Sequence, residues 1–168
     1  MEIEPTMTTI ERAILLMEVH PLQYLTSDEI ATLAAHMTEV RFEAGEILAE
    51  GRDPESHGYF VVSGVLEYLS GDVVVRRATR GMAVGLFGLL GIEDTGLTLR
   101  ADEDTHALAF TREEFTEFIT DSPAASLGVV RALAEVILKQ MQHLQALGVQ
   151  AVLEPDPPSS ETTEKPST

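Results

Sequence analysis

The chain has 168 residues, 44% of them hydrophobic, which suits one globular domain burying roughly two-thirds of the surface its unfolded form exposes. Its 28 acidic residues outnumber 11 basic ones, for a net charge of −17, so an unspecific grip on a nucleic-acid backbone is disfavoured. Cysteine is absent, which excludes a disulfide frame, thiolate catalysis, Cys-ligated zinc and iron–sulfur clusters.

The opening MEIEPTMTTIER carries neither the basic nor the apolar region of a signal peptide. The longest apolar run, Gly81 to Ile92, is Gly-rich and too short to span a bilayer, so a soluble cytoplasmic protein without membrane insertion is expected. Thr8-x-x-Glu11 and Thr26-x-x-Glu29 each set a hydroxyl N-cap three residues before a glutamate. They open IERAILLMEV and DEIATLAAHM, which predicts short amphipathic helices at about 9–19 and 27–37, separated by His20-Pro21.

From Thr38 to Phe110 the texture changes to short β-branched or alternating runs: VRF, EILAE, YFVVSGVLEYL, VVVRRA, LTLRA and HALAF. Turn signals at Ala44-Gly45, Gly51 to Pro54, Ser63-Gly64, Ser70 to Asp72 and Arg80-Gly81 recur every roughly 6–13 residues, the rhythm of an antiparallel jelly roll. LTLRA puts Leu97, Leu99 and Ala101 on one face and Thr98 and Arg100 on the other. Before it, GMAVGLFGLLGIEDTG has too many glycines for a strand and too many apolar residues for an exposed loop, and reads as a buried turn with a short helix at about 86–90.

Thr111-x-x-Glu114 starts a third short helix at about 112–120, and Ser122-Pro123 starts a long one that Gly148 stops. Along it Leu127, Val130, Ala134, Ile137, Met141 and Leu144 follow alternating steps of three and four, a coiled-coil-like seam. A second stripe, Val129, Leu133, Val136 and Leu147, lies beside it. After Leu153 the proline-rich acidic residues cannot bury enough to order themselves, so 154–168 is expected to be a disordered tail. The expected domain is 8–148: helices within 1–37, a β-roll over 38–110 and helices over 111–148. The fold class is α+β, mainly β.

Enzymatic signals are weak. The histidines His20, His36, His57, His106 and His143 are isolated, whereas a cupin-type metal site wants two on alternate strand residues with a carboxylate, so no metal is expected. Ser63-Gly64 lacks the sharp turn of a nucleophilic serine. Arg76, Arg77 and Arg80 form the one basic cluster, read as a solvated hairpin edge that discourages aggregation or, less simply, as a docking patch for an acidic partner.

The order of these elements, with FEAGEILAEGRDPESHGYFVVSGVLEYL, resembles the cyclic-nucleotide-binding domain of the catabolite-activator and protein-kinase regulatory-subunit type. Gly45, Gly51, Asp53, Tyr59 and Ser63-Gly64 match residues that shape that family's barrel turns. GMAVGLFGLLGIEDTGLTLRA lies without a gap over the family's phosphate-binding cassette, with Gly81, Gly85, Leu89, Leu90 and Arg100-Ala101 in place. The resemblance implies a nucleotide site at Gly81, Gly85, Leu86, Phe87, Gly88, Thr95 and Gly96. It also implies that the site is degenerate. Leu86 stands where the family has the glutamate that binds the ribose hydroxyl, Thr95 where it has the arginine that pairs with the phosphate, and Gly96 where a serine or threonine follows.

The function expected is therefore a non-catalytic regulatory or protein-interaction module with no resident cofactor, binding cyclic nucleotide weakly at most. The alternative is a sensor of cyclic AMP, cyclic GMP or another nucleotide, signalling through its last helix. The family's dimer helix corresponds to the long helix here, so a homodimer through Val130, Ala134, Ile137, Met141 and Leu144 is expected, with a protein partner besides. The roughly 20 residues after that helix are too few for the winged helix that DNA-reading relatives carry, which argues against direct DNA binding.

Overall fold

The computed structural model describes residues 6–50, 57–92 and 95–148. The chain divides into two compact units, Met1–Ala134 and Glu135–Thr168. In the first, α1 (Thr9–Met17), a 3₁₀ turn (His20–Tyr24) and α2 (Ser27–His36) precede eight strands. These are β1 (Thr38–Phe42), β2 (Ile47–Glu50), β3 (His57–Ser63), β4 (Leu66–Ser70), β5 (Val73–Ala78), β6 (Ala83–Val84), β7 (Thr98–Ala101) and β8 (Thr105–Thr111). The short helix α3 (Leu86–Leu89) sits between β6 and β7, and α4 (Arg112–Asp121) leads into α5 (Pro123–Ala146).

All three Thr-x-x-Glu boxes close: Thr8, Thr26 and Thr111 each accept from the backbone N–H three residues on, while that residue's carboxylate accepts from the threonine N–H. The strands form two antiparallel four-stranded sheets, β1-β8-β3-β6 and β2-β7-β4-β5, which is the expected mainly-β jelly roll. YFVVSGVLEYL forms two strands, β3 and β4, separated at the Ser63-Gly64 turn signal. Gly64 breaks it with φ of +89°, and a Cβ there would lie 2.5 Å from the Thr105 hydroxyl.

Two apolar clusters organise the unit. One fills the roll with Phe42, Tyr59, Val61, Leu66, Tyr68, Val84 and Leu99, drawn from both sheets. The other joins α1, α2, α3 and α4 to the outer face of β8 through Leu15, Leu16, Leu33, Leu89, Leu108, Phe110 and Phe115. Strand β8 serves both: small Ala107 and Ala109 face the roll, large Leu108 and Phe110 face the helices.

Within the first unit α5 buries the small residues Ala125, Gly128 and Ala132, and a Cβ on Gly128 would lie 3.2 Å from Leu25. Small residues make this close approach, and of the second stripe Val129 packs on the helical cluster. In the second unit Val136, Ile137, Leu138, Met141 and Leu147 are exposed. Residues 154–168 lie outside the described residues, as do Gly51 and Asp53. Among the described residues no helix is long and apolar enough to cross a membrane.

Candidate functional site

The cassette arrives along β6, which extends β3 through the pairs Tyr59↔Val84 and Phe60↔Ala83. Gly81 precedes it in a left-handed turn, its N–H donating to Val61 O. Sequence reasoning gave this stretch as an irregular turn, and two paired residues are too short a strand to leave a pattern.

Gly85 is the N-cap of α3, left-handed at φ +84°. A Cβ at this position would lie 2.2 Å from the carbonyl oxygen of His57 and 2.9 Å from Gly58 Cα, so only glycine lets the cassette pass this close to β3. The N–H of Gly85 donates to the phenol oxygen of Tyr68 at 2.7 Å. Tyr68 is buried in the roll, and burial pushes its phenol above the ordinary value against the opposing pull of the Gly85 hydrogen bond and the Arg76 charge. Nothing near Tyr68 in sequence marks it, because the contact joins β4 to the cassette across 17 residues.

Leu86 and Leu97 diverge. Leu97 packs on the cluster inside the roll, whereas Leu86 packs on the helical cluster. Leu86 therefore faces the helices and Leu97 the interior of the roll. A one-turn helix turns consecutive side chains by about 100°, so Leu86 and Leu89 can both face the helices while Phe87 stands out. Phe87, Leu90 and Ile92 are exposed, and the Phe87 ring meets Tyr68 edge-on with centroids 6.2 Å apart.

Gly88 contributes its carbonyl to the side chain of Arg112, whose Nε donates at 2.8 Å. This ties the cassette helix to the start of α4, a link no local motif announces. Beyond Glu93 and Asp94, which lie outside the described residues, the Thr95 hydroxyl accepts from the N–H of Leu97 at 3.2 Å, and Gly96 is left-handed at φ +64°. Thr95 thus serves its own turn. Arg100 points away from the cassette to Glu67, which also pairs with Arg77.

Two of the histidines have polar partners of their own. His106 Nε2 lies 3.0 Å from Glu39 and His36 Nδ1 lies 2.8 Å from Thr32 O. Among the described residues no group of three or more His, Asp or Glu side chains is placed to hold a metal ion.

The profile of the family described as "Cyclic nucleotide-binding domain" matches residues 39–122, half of the chain, and spans both sheets and the whole cassette. This chain belongs to the cyclic nucleotide-binding domain family. Solved structures agree on the fold. A cAMP-bound PfPKA-R matches at 17% identity and a TM-score of 0.66, covering 85% of this chain and 48% of its own. The N-terminal domain of a Streptomyces coelicolor A3(2) transcriptional regulator matches at 19% and 0.63, over 77% of this chain and 94% of its own. The Thermus thermophilus catabolite activator protein matches at 21% and 0.64, over 76% and 62%. The chain thus spans about half the length of the first and under two-thirds of the last. No curated protein sequence matches it. The cyclic nucleotide-binding domain fold supports a regulatory or sensor module.

Proposed function

We propose that this cyclic nucleotide-binding domain is a non-catalytic interaction module that does not hold cyclic nucleotide tightly. One observation carries the reading: an aliphatic residue and a neutral hydroxyl, Leu86 and Thr95, stand at the cassette's two polar anchor positions. Removing one partner of a buried charge pair costs ~3–5 kcal/mol, about 10²–10⁴ in affinity, and here both anchors differ. Leu86 is moreover spent on the helical cluster and Thr95 on its own turn. Calorimetric titration with cyclic AMP, cyclic GMP and cyclic dinucleotides should show nothing tighter than high micromolar. A sub-micromolar dissociation constant would overturn the reading.

Self-association through α5 belongs to the same proposal. Val130 and Ile137, each 60% exposed, and Met141, 49% exposed, present the heptad seam outward with Ala134 and half-buried Leu144. An exposed stripe of this kind on an acidic domain supports a two-fold homodimer, with the protein partner engaging the dimer.

A second reading, a small-ligand sensor signalling through α5, is favoured by Arg76. It lies opposite Tyr68 in the β4–β5 register, and its guanidinium donates to Ala83 O, at 3.3 Å, within the cassette. A cation there supplies a counter-charge from another strand. Nucleotide binding that disappears in Arg76→Ala would favour this reading over the first.

A further inference from the structure

We infer that Tyr68 closes the cassette from inside the roll, its phenol occupying the Gly85 N–H and so keeping cyclic nucleotide out independently of the altered anchors. The inference rests on the cassette reading above and adds to it the residue that enforces refusal.

The geometry has three parts. The hydroxyl of Tyr68 sits 2.7 Å from Gly85 N, so the backbone donor at the N-cap of the cassette helix is satisfied by the protein itself. A Cβ on Gly85 would meet the carbonyl oxygen of His57 at 2.2 Å and the Cα of Gly58 at 2.9 Å, so the cassette backbone is packed tightly against β3 at this donor. The Tyr68 ring is buried among Leu66, Leu99 and Val84 and capped edge-on by Phe87, so it cannot swing out without opening the roll. A ligand anion at Gly85 would have to break a buried hydrogen bond and also displace a packed aromatic ring. Either alone weakens binding, and they act together.

Sequence composition at this strand sharpens the point. The inward-facing residues of β4 are Leu66 and Tyr68, and Leu66 shows that an aliphatic side chain suits the same face. Tyrosine there is chemically specific: its polar tip finds a partner, and that partner is the cassette.

The test separates Tyr68 from the anchors. Thr95→Arg restores a counter-charge at an exposed-to-half-buried turn without touching either cluster, and Tyr68→Phe removes only the hydroxyl. Calorimetry with cyclic AMP and cyclic GMP on Thr95→Arg and on Thr95→Arg with Tyr68→Phe should show binding at least about tenfold tighter in the double variant, the scale of one hydrogen bond to a charged group. Equal affinity in the two, including no binding in either, overturns the role of Tyr68. So does weaker binding in the double variant, which would make the phenol a ligand donor. If Thr95→Arg alone binds tightly and Tyr68→Phe adds nothing, only this inference falls. If the unsubstituted protein binds below micromolar, it is the proposed function that falls. Amide hydrogen exchange gives a second reading without ligand: Gly85 should exchange faster in Tyr68→Phe than in the parent, and unchanged exchange in a folded variant overturns the contact.

Discussion

Glu39 and Glu67 are both shut away from water, one on each sheet, and different chemistry holds them. Glu39, on β1, takes hydrogen bonds from the Thr6 hydroxyl, the Met7 N–H, the Arg12 guanidinium and His106. Those donors come from the segment before α1, from α1 itself and from β8, and Arg12 also donates to Met37 O at 2.7 Å. Glu67, on β4, is paired laterally with Arg100 of β7 and Arg77 of β5, each its register partner. Arg77 is 58% exposed and its ion pair runs at 3.4 Å, so water screens that half. One carboxylate clasps the segment before α1, and α1 itself, to the β1–β8 pair. The other reinforces strands already held by their backbone ladder, at the same depth of burial. Depth alone therefore does not measure what a buried charge contributes; the origin of its partners does.

Glu39→Ala should show the largest effect. It strands Arg12 and His106 and releases the N-terminal segment, for a loss of about 3–5 kcal/mol in chemical denaturation. A loss below ~1 kcal/mol would break the comparison. Acid provides the next test. Burial alone would raise the Glu39 carboxyl, but the hydrogen bonds from Met7, Thr6 and His106 outweigh it and hold the group down from the ordinary 4.5 to about 2. A depressed carboxyl contributes stability that is present above the unfolded value and lost as pH falls toward the folded one. Between pH about 4.5 and 2 the domain should therefore lose about 3 kcal/mol from this group, and Glu39→Gln should flatten that part of the pH–stability curve. An unchanged curve in Glu39→Gln would assign the acid sensitivity elsewhere. Glu67→Ala should cost less, about 1–3 kcal/mol, because Arg77 already meets solvent and Arg100 is partly exposed. Equal losses at Glu39 and Glu67 would show lateral pairing to be as strong as the N-terminal clasp.

The same contrast explains what the sequence could disclose. Capping boxes were legible because Thr8 and Glu11, Thr26 and Glu29, and Thr111 and Glu114 stand three residues apart, within the reach of local geometry. LTLRA was legible because alternation is a property of one strand: Leu99 and Ala101 are buried in the roll and Leu97 packs against it. The cassette's glycines were legible as a pattern, and Gly81 and Gly85 both take the left-handed backbone they were placed to supply. Glu39, however, meets Arg12 across 27 residues and His106 across 67, and none of the three looks unusual where it stands. Tyr68 and Arg112 escaped for the same reason. The direction of Leu86 was unreadable too, since a single helical turn between two apolar clusters offers no periodicity to decide which one it joins.

A carboxylate introduced where no partner is supplied is the remaining case, and Ile137 offers it. The side chain is 60% exposed in the single chain, so Ile137→Glu should change its folding stability by no more than about 0.5 kcal/mol. The seam makes the difference. Alternating steps of three and four keep Val130, Ala134, Ile137, Met141 and Leu144 within one narrow stripe, and a two-fold axis would set that stripe against its copy. Two glutamates at position 137 would then face each other without the donors that surround Glu39, and the desolvation of both would oppose association. A charge of −17 on each chain also opposes it, so the parent dimer should tighten as salt screens that repulsion. Sedimentation at tens of micromolar in about 0.15 M salt should find the parent dimeric and Ile137→Glu monomeric with an unchanged melting transition. A parent that sediments as a monomer would refute the seam, and a variant that unfolds would show Ile137 to be holding the chain itself.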